Sequence, residues 1–176
     1  MNEKPSRVPL IAVGIAAALL DLVSKWWIFR HYAYLSDHPV AGELLSIHPV
    51  FNKAGPWSWG NGLTFLRWAL PLVSLVAVGV IGRIWWQTDA RDRVKSLGLV
   101  LILGGALGNL WDRAIQAFDP GFGVRDFILV KGVWFGGDFP AFNLADTWIT
   151  VGVVLVGWRI LFEMKTDPAE SPEAPA

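Results

Sequence analysis

The sequence predicts an all-α membrane protein with four transmembrane helices, and three observations carry this prediction. Of the 176 residues, 53% are hydrophobic and only 17% are charged, whereas a typical soluble domain carries about 25% charged residues. The mean hydropathy is +0.43. The apolar residues are concentrated in four segments of about 21–24 residues, close to the ~20 that a helix needs to cross the hydrocarbon core.

The four segments span residues 8–29, 63–86, 94–115 and 142–162. A backbone in lipid must satisfy its own hydrogen bonds, so each segment is expected to be a helix. The first segment can alternatively be interpreted as a secretory signal peptide with Lys4 and Arg7 at its basic start. Against this, its apolar run continues beyond the small residues of a cleavage site to Asp21, within one helical segment.

The composition also excludes several classes of protein. The 15 basic residues balance the 15 acidic ones, so we expect no nucleic-acid partner, which would need an excess of positive charge. The absence of cysteine excludes disulfide scaffolds, thiol nucleophiles and cysteine-ligated zinc.

We expect one domain over residues 1–164 and a disordered cytoplasmic tail over 165–176, which is rich in Pro, Glu and Ala.

Basic residues near the span ends predict the orientation, because they mark the cytoplasmic side. They lie in both tails and in the short loop between the second and third spans, and they are Lys4, Arg7, Arg91, Arg93, Lys95 and Lys165. Both termini are therefore expected in the cytoplasm, and the loops 30–62 and 116–141 outside. Eight tryptophans lie near span ends, where indole rings favour the headgroup level, and they are Trp26, Trp27, Trp68, Trp85, Trp86, Trp111, Trp148 and Trp158.

The outer loops contain strand-like stretches rather than featureless linkers. Residues 49–52 form a short β-like stretch before a Gly/Pro turn, and residues 124–130 (VRDFILV) form a second one between glycine-rich breaks. Three tryptophans in these loops, Trp57, Trp59 and Trp134, are expected either to dip into the membrane surface or to line a cleft. Long ordered loops are often functional.

Charged and amide side chains within the spans are costly there and mark functional or paired sites. Asp21 and Lys25 are spaced i, i+4 and can pair on one helix face, which serves either to hold the helix or to support a nearby site. In residues 104–113 (GGALGNLWDR), small residues allow close helix approach. Three polar residues follow at helical spacing, and they are Asn109, Asp112 and Arg113. We interpret them either as helix packing with an interfacial ion pair or as part of a site.

Two further acidic residues map to the outer membrane edge. Asp126 lies in VRDFILV and is interpreted either as a loop carboxylate paired with Arg125 or as a site residue. Asn143 and Asp146 begin the fourth span, where both are good helix-capping residues. Two carboxyl groups close together in a low-dielectric cleft share a proton, so one can act as general base on water and the other as general acid on a carbonyl oxygen. This chemistry needs no metal or cofactor.

Other hydrolytic and nucleotide-dependent sites lack their residues. His31, His38 and His48 do not have the H-E-x-x-H spacing, and Ser58 does not lie in G-x-S-x-G. Residues 135–138 (FGGD) miss the G-x-G-D pattern of presenilin-like proteases, and no Walker A or G-x-G-x-x-G motif occurs.

Five short motifs stand in order along roughly residues 10–160. Residues 21–25 (DLVSK) are similar to D-Q-x-[ST]-K, with Leu22 in place of Gln, and residues 51–58 (FNKAGPWS) look like N-x-G-A-A-F-S. GGALGNLWDR, VRDFILV and FPAFNLADTWITVG supply the other three. Together they resemble the lipoprotein signal peptidases (signal peptidase II).

The resemblance implies an aspartyl endopeptidase of the bacterial inner membrane, multi-pass, with its active site at the periplasmic edge. Such enzymes cleave signal peptides from diacylglyceryl-modified prolipoproteins, before the lipid-modified cysteine. Asp126 and Asp146 fall on the catalytic pair. The supporting or substrate-binding positions are Asn52, Asn109, Arg113, Asn143, Asp112, Asp21 and Lys25.

The resemblance also implies partners and an outer structure. The partners are the lipid-modified prolipoprotein, membrane lipids and a globomycin-like inhibitor, with no metal or cofactor. The outer loops are expected to form a small extracytoplasmic β-sheet and a lid-like loop.

One motif departs from the family pattern. After Asn52 the family's G-A-A-F becomes Ala54-Gly55-Pro56-Trp57. Pro56 removes a backbone donor and fixes φ, Trp57 is bulkier than Phe, and the loop 114–123 is long. These changes bear on substrate preference and inhibitor affinity. They also leave open a second hypothesis, a non-enzymatic membrane protein that binds lipidated peptides with the same fold.

Overall fold

A computed structural model describes residues 5–54, 63–135 and 137–166, with side chains up to residue 162. The helices are α1 (Val8–His31), α2 (Leu66–Gln87), α3 (Arg93–Phe118) and α4 (Leu144–Thr166). The strands are β1 (His38–Ala41), β2 (Leu45–Asn52), β3 (Val124–Trp134) and β4 (Gly137–Phe142). All four helices are long and apolar enough to cross a membrane, which confirms the predicted fold class.

The helices form a bundle around α3, which packs against α1, α2 and α4. The close contacts use glycine: a methyl group added to Gly98 would lie 2.8 Å from the carbonyl oxygen of Gly152 on α4. A methyl group on Gly104 would lie 2.6 Å from the carbonyl oxygen of Gly14 on α1. The first segment is thus an integral member of the bundle, as the span interpretation requires.

The four strands form one antiparallel sheet in the order β1-β2-β3-β4. Val50 pairs with Asp126 and Asn52 with Val124, so the end of β2 lies beside the start of β3. The chain enters β3 shortly after α3 and passes from β4 almost directly into α4. The sheet is therefore attached to one end of the bundle.

The boundaries differ from the predicted ones in a few places. The fourth helix begins at residue 144 rather than 142, because Phe142 is the last residue of β4. The two predicted strand-like stretches are parts of the longer strands β2 and β3, and β1 and β4 were not predicted. β1 is exposed along its whole length, and β4 contains Gly137 and Pro140, so neither has the alternating pattern that indicates a strand.

Several predictions concern residues outside the described ranges. They concern the lid-like loop, the departure from the family pattern at Gly55-Pro56-Trp57 after Ala54, Ser58, Trp59, Lys4 and the tail after residue 166. The backbone of α4 continues to Thr166, two residues beyond the predicted end of the domain.

Candidate active site

The polar residues selected from the sequence meet where the sheet joins the bundle. Each of them is connected to another by a hydrogen bond or an ion pair. They come from α1, β2, α3, β3 and α4, and they are Asp21, Lys25, Asn52, Asn109, Asp112, Arg113, Asp126, Asn143 and Asp146.

Lys25 lies at the centre of this cluster, with its side chain fully buried. Its Nζ lies 2.7 Å from Asp21 Oδ2 and 3.4 Å from Asp112 Oδ2, and it donates to Asn109 Oδ1 at 2.8 Å. The predicted i, i+4 pair between Asp21 and Lys25 is therefore present, and it also ties α1 to α3. A buried ammonium needs such a set of partners, because an unpaired charge in this position would be very costly.

Asp21 and Asp112 each have a second contact. Asp21 Oδ1 accepts the backbone N–H of Ala145 at 2.9 Å, in the first turn of α4, where the helix dipole favours a negative charge. Asp112 Oδ1 accepts from Arg125 Nη2 at 2.7 Å, and Asp112 Oδ2 accepts the backbone N–H of Arg125 at 3.0 Å.

The interpretation of Asp126 as a carboxylate paired with Arg125 is wrong. Neighbouring residues of a strand point to opposite faces, and Arg125 pairs with Asp112 on α3 instead. Asp112 also pairs with Arg125 and Lys25 rather than with the adjacent Arg113. Arg113 donates to backbone carbonyls: Nη1 to Asn52 O at 3.2 Å and Nη2 to Ala54 O at 2.6 Å.

Asn143 and Asp146 are both capping residues and members of the cluster. The side chain of Asn143 accepts the N–H of Asp146 at 3.0 Å, while Asp146 Oδ2 accepts the N–H of Asn143 at 3.2 Å. This reciprocal pair is a capping box. Asp146 Oδ1 also accepts from Asn109 Nδ2 at 2.8 Å, so two donors hold this half-buried carboxylate.

Asp126 lies beside Asp146 and is only 3% exposed. Its Oδ1 accepts from Asn143 Nδ2 at 2.7 Å. Burial raises the pKa of Asp126 to about 8, and the charge of Asp146 adds to the rise, while the side chains of Asn52 and Asn143 and the charge of Lys25 oppose it. A carboxyl group with this pKa holds its proton at neutral pH.

One residue of the cluster was missed from the sequence. Gln116 is 3% exposed; its Oε1 accepts from Arg113 Nη1 at 2.8 Å, and its Nε2 donates to Lys53 O at 2.9 Å. The available signal was its position three residues after Arg113, which places both on one helix face. Within the described part of the chain, no three His, Cys, Asp or Glu side chains are grouped to hold a metal ion.

Comparisons with known proteins agree on one family. The family model described as Signal peptidase (SPase) II matches residues 13–162. The lipoprotein signal peptidase of Latilactobacillus sakei subsp. sakei (strain 23K) is 32% identical over 155 residues, covering 88% of this chain and 95% of the relative. That of Yersinia pseudotuberculosis serotype O:1b (strain IP 31758) is 31% identical over 166 residues, covering 90% and 87%.

Two solved structures, both described as bacterial membrane enzymes, have the same fold. The one determined at 2.3 Å has a TM-score of 0.77 at 25% identity, covering 98% of this chain and 99% of its own. The one at 1.9 Å has a TM-score of 0.70 at 26% identity, covering 96% and 99%. With its four apolar helices, this chain is a multi-pass membrane protein, and it belongs to the signal peptidase II family.

Proposed function

We propose that the chain is a membrane aspartic endopeptidase that removes signal peptides from diacylglyceryl-modified prolipoproteins, cleaving before the lipid-modified cysteine. The substrate class is supported by relatives named lipoprotein signal peptidase. The observation that carries the chemistry is that Asn143 donates to both carboxyl groups: its Nδ2 to Asp126 and its backbone N–H to Asp146. Asp126 and Asp146 are the catalytic pair.

The two carboxyl groups take different roles because their surroundings differ. Asp126 is protonated at neutral pH, since burial and Asp146 raise its pKa to about 8, and it acts as general acid. Asp146 receives hydrogen bonds from Asn109 and Asn143 in the first turn of α4, where a carboxylate is favoured, and it acts as general base.

The reaction follows from these roles. Asp146 takes a proton from water while the water oxygen bonds to the scissile carbonyl carbon and Asp126 gives its proton to the carbonyl oxygen. The resulting diol collapses as the proton held by Asp146 passes to the leaving nitrogen and the C–N bond breaks. Asp126 recovers its proton from the diol hydroxyl, which regenerates both groups.

The other polar residues support the pair without reacting. Asp21, Lys25 and Asp112 form a buried charged brace between α1 and α3. Asn109 joins this brace to Asp146. Arg113 holds the end of β2 at the site through the carbonyl of Asn52, and the side chain of Asn52 lowers the pKa of Asp126.

The proposed location is the bacterial inner membrane, with both termini in the cytoplasm and the site at the periplasmic edge. The support is the distribution of charge: the short loop with Arg91, Arg93 and Lys95 lies at the end of α2 and start of α3, opposite the sheet, and basic loops face the cytoplasm. The four helices and the sheet form a single peptidase domain, which extends to the end of α4 at Thr166. Membrane lipids surround the bundle, and a globomycin-like cyclic peptide competes with the substrate.

The proposal is tested with the purified chain in lipid bilayers and a prolipoprotein in two forms, with and without the diacylglyceryl group. We expect mass spectrometry to detect cleavage before the modified cysteine in the lipidated form and little in the other. Binding of the lipidated form without any cleavage would support the non-enzymatic alternative and overturn the proposal. Equal cleavage of both forms would overturn the assigned substrate.

A further inference from the structure

Gln116 is a buried polar residue outside the motifs that suggest the function. Both ends of its side-chain amide are used: Oε1 accepts from Arg113 Nη1 at 2.8 Å and Nε2 donates to Lys53 O at 2.9 Å. These two contacts fix the orientation of the amide, because exchanging its oxygen and nitrogen would place donor against donor and acceptor against acceptor.

Gln116 and Arg113 together bind three consecutive backbone carbonyls. Arg113 donates to the carbonyl oxygens of Asn52 and Ala54, and Gln116 donates to that of Lys53 between them. These carbonyls lie at and just beyond the end of β2, where the strand pairing ends and backbone groups must find other donors. The two α3 side chains therefore set the path of the chain over residues 52–54.

The path of residues 52–54 in turn orients the side chain of Asn52. Asn52 Oδ1 accepts the N–H of Ala54 at 3.2 Å, which is an Asx turn. With its oxygen engaged in this way, the Asn52 amide nitrogen is free to act as donor. Asn52 pairs with Val124, so Asp126, two residues further along β3, lies diagonally opposite on the same face, where the Asn52 side chain lowers the pKa of its carboxyl group.

We infer that Gln116 is a positioning residue for the catalytic carboxyl group of Asp126. It acts through Arg113 and the turn at residues 52–54, which hold the Asn52 amide against Asp126. This role rests on the proposed peptidase function, and it adds to it a residue that the family motifs do not contain.

The test replaces Gln116 with a residue of similar size that can neither donate nor accept. Gln116→Leu removes both hydrogen bonds, whereas Gln116→Glu keeps the acceptor for Arg113 and loses only the donor to Lys53. The matched control is Gln87→Leu, the same change at an exposed position at the far end of α2. The full chain in lipid bilayers is used throughout.

The first readout is amide hydrogen exchange of residues 52–54, which does not depend on activity. We expect exchange to be roughly tenfold faster in Gln116→Leu, as the loss of two hydrogen bonds predicts, smaller in Gln116→Glu and unchanged in Gln87→Leu. Equal exchange in Gln116→Leu and Gln87→Leu would overturn the inference.

The second readout is the pH profile of kcat for the lipidated prolipoprotein. Catalysis by protonated Asp126 falls as pH rises through its pKa, and the side chain of Asn52 lowers that pKa. Displacement of Asn52 in Gln116→Leu should therefore move the alkaline limb to higher pH and reduce kcat several-fold, with KM nearly unchanged. The charged groups that act on Asp126 are Asp146 on α4, Lys25 on α1 and Arg113 on α3, and none of them is replaced.

The outcomes separate the two proposals. Faster exchange with an unmoved alkaline limb would reduce Gln116 to a structural role and overturn the inference. If the unmutated chain does not cleave the prolipoprotein, the proposed function is overturned. The hydrogen-exchange comparison of Gln116→Leu with Gln87→Leu would then still decide whether Gln116 fixes the turn at residues 52–54.

Discussion

Asp126 is the more deeply buried of the two proposed catalytic residues. Burial and the neighbouring Asp146 raise its pKa from the ordinary value of 3.8 to about 8. Between these two pH values the folded chain keeps a proton that the unfolded chain has lost. Folded stability contributed by this residue therefore decreases as pH rises through that window, because the unfolded state then binds fewer protons than the folded state.

Asp126→Asn should remove this pH dependence, because the amide is neutral at every pH in the window. We expect the thermal midpoint of the unmutated chain to fall between pH 5 and pH 8 more than that of Asp126→Asn. Circular dichroism at a fixed scan rate measures the midpoints, with the exposed Asp119→Asn as control. Parallel curves for the unmutated chain and Asp126→Asn would contradict the raised pKa.

At this scale the sequence predicted which polar residues meet in the cluster, but it predicted only the Asp21–Lys25 pair among their contacts. Asp21, Lys25, Asp126 and Asp146 were identified because charges are costly in or beside a membrane span and because they lie in family-like motifs. Hydrogen bonds and ion pairs between residues far apart in the sequence could not be predicted, because they depend on how the helices and strands pack. Gln116 was missed for this reason, since its acceptor at Lys53 is 63 residues away.

At the scale of elements, close helix contact at glycine positions determines how the bundle packs. At Gly98 a methyl group would lie 2.7 Å from Val156 Cγ2 and 2.8 Å from Gly152 O, so α3 and α4 approach there without room for a side chain. At Gly157, on the same helix α4, nothing lies within 4 Å of the added methyl position.

Gly98→Ala should therefore force α3 and α4 apart. We expect a destabilisation of about 1–3 kcal/mol, typical of overpacking in a well-packed interior, whereas Gly157→Ala should be neutral or slightly stabilising because alanine favours the helix. Unfolding of the purified protein in detergent by increasing SDS measures both. A loss of stability for Gly157→Ala as large as for Gly98→Ala would contradict close packing as the cause.

The elements were predictable to different degrees for physical reasons. The helices were predicted to within a few residues because a membrane span needs about twenty apolar residues. β2 and β3 were recognised only in part, and β1 and β4 were not recognised at all. β1 and β4 are the edge strands of the sheet. They are held by backbone pairing to their neighbours, which does not require an alternating pattern of side chains.

At the scale of the whole molecule, the candidate site combines residues from three helices and two strands. Its hydrogen bonds and ion pairs join α1, α3 and α4 with β2 and β3. No single segment holds the two carboxyl groups, because Asp126 comes from the sheet and Asp146 from a helix. The site is therefore formed where the sheet meets one end of the bundle, and the orientation of that end decides on which side of the membrane the chemistry occurs.

The proposed orientation is testable because the chain contains no cysteine, so one introduced thiol reports one position. Glu43→Cys lies in the exposed turn between β1 and β2, and Arg91→Cys lies in the exposed loop between α2 and α3. In intact cells, a membrane-impermeant maleimide should label Glu43→Cys at once and Arg91→Cys only after the membrane is permeabilised. The reverse pattern would place the site on the cytoplasmic side.

The most direct test of the proposed catalytic pair is the turnover of lipid-modified prolipoprotein by Asp126→Asn and Asp146→Asn. Each variant is first shown to be folded by its thermal midpoint, and the exposed Asp119→Asn and Asp138→Asn serve as matched controls. An aspartic pair predicts that kcat falls at least about 100-fold in either site variant, as removal of a general acid or base does, with both controls unchanged. Turnover within a few-fold of the unmutated chain in a folded Asp126→Asn or Asp146→Asn variant would contradict it.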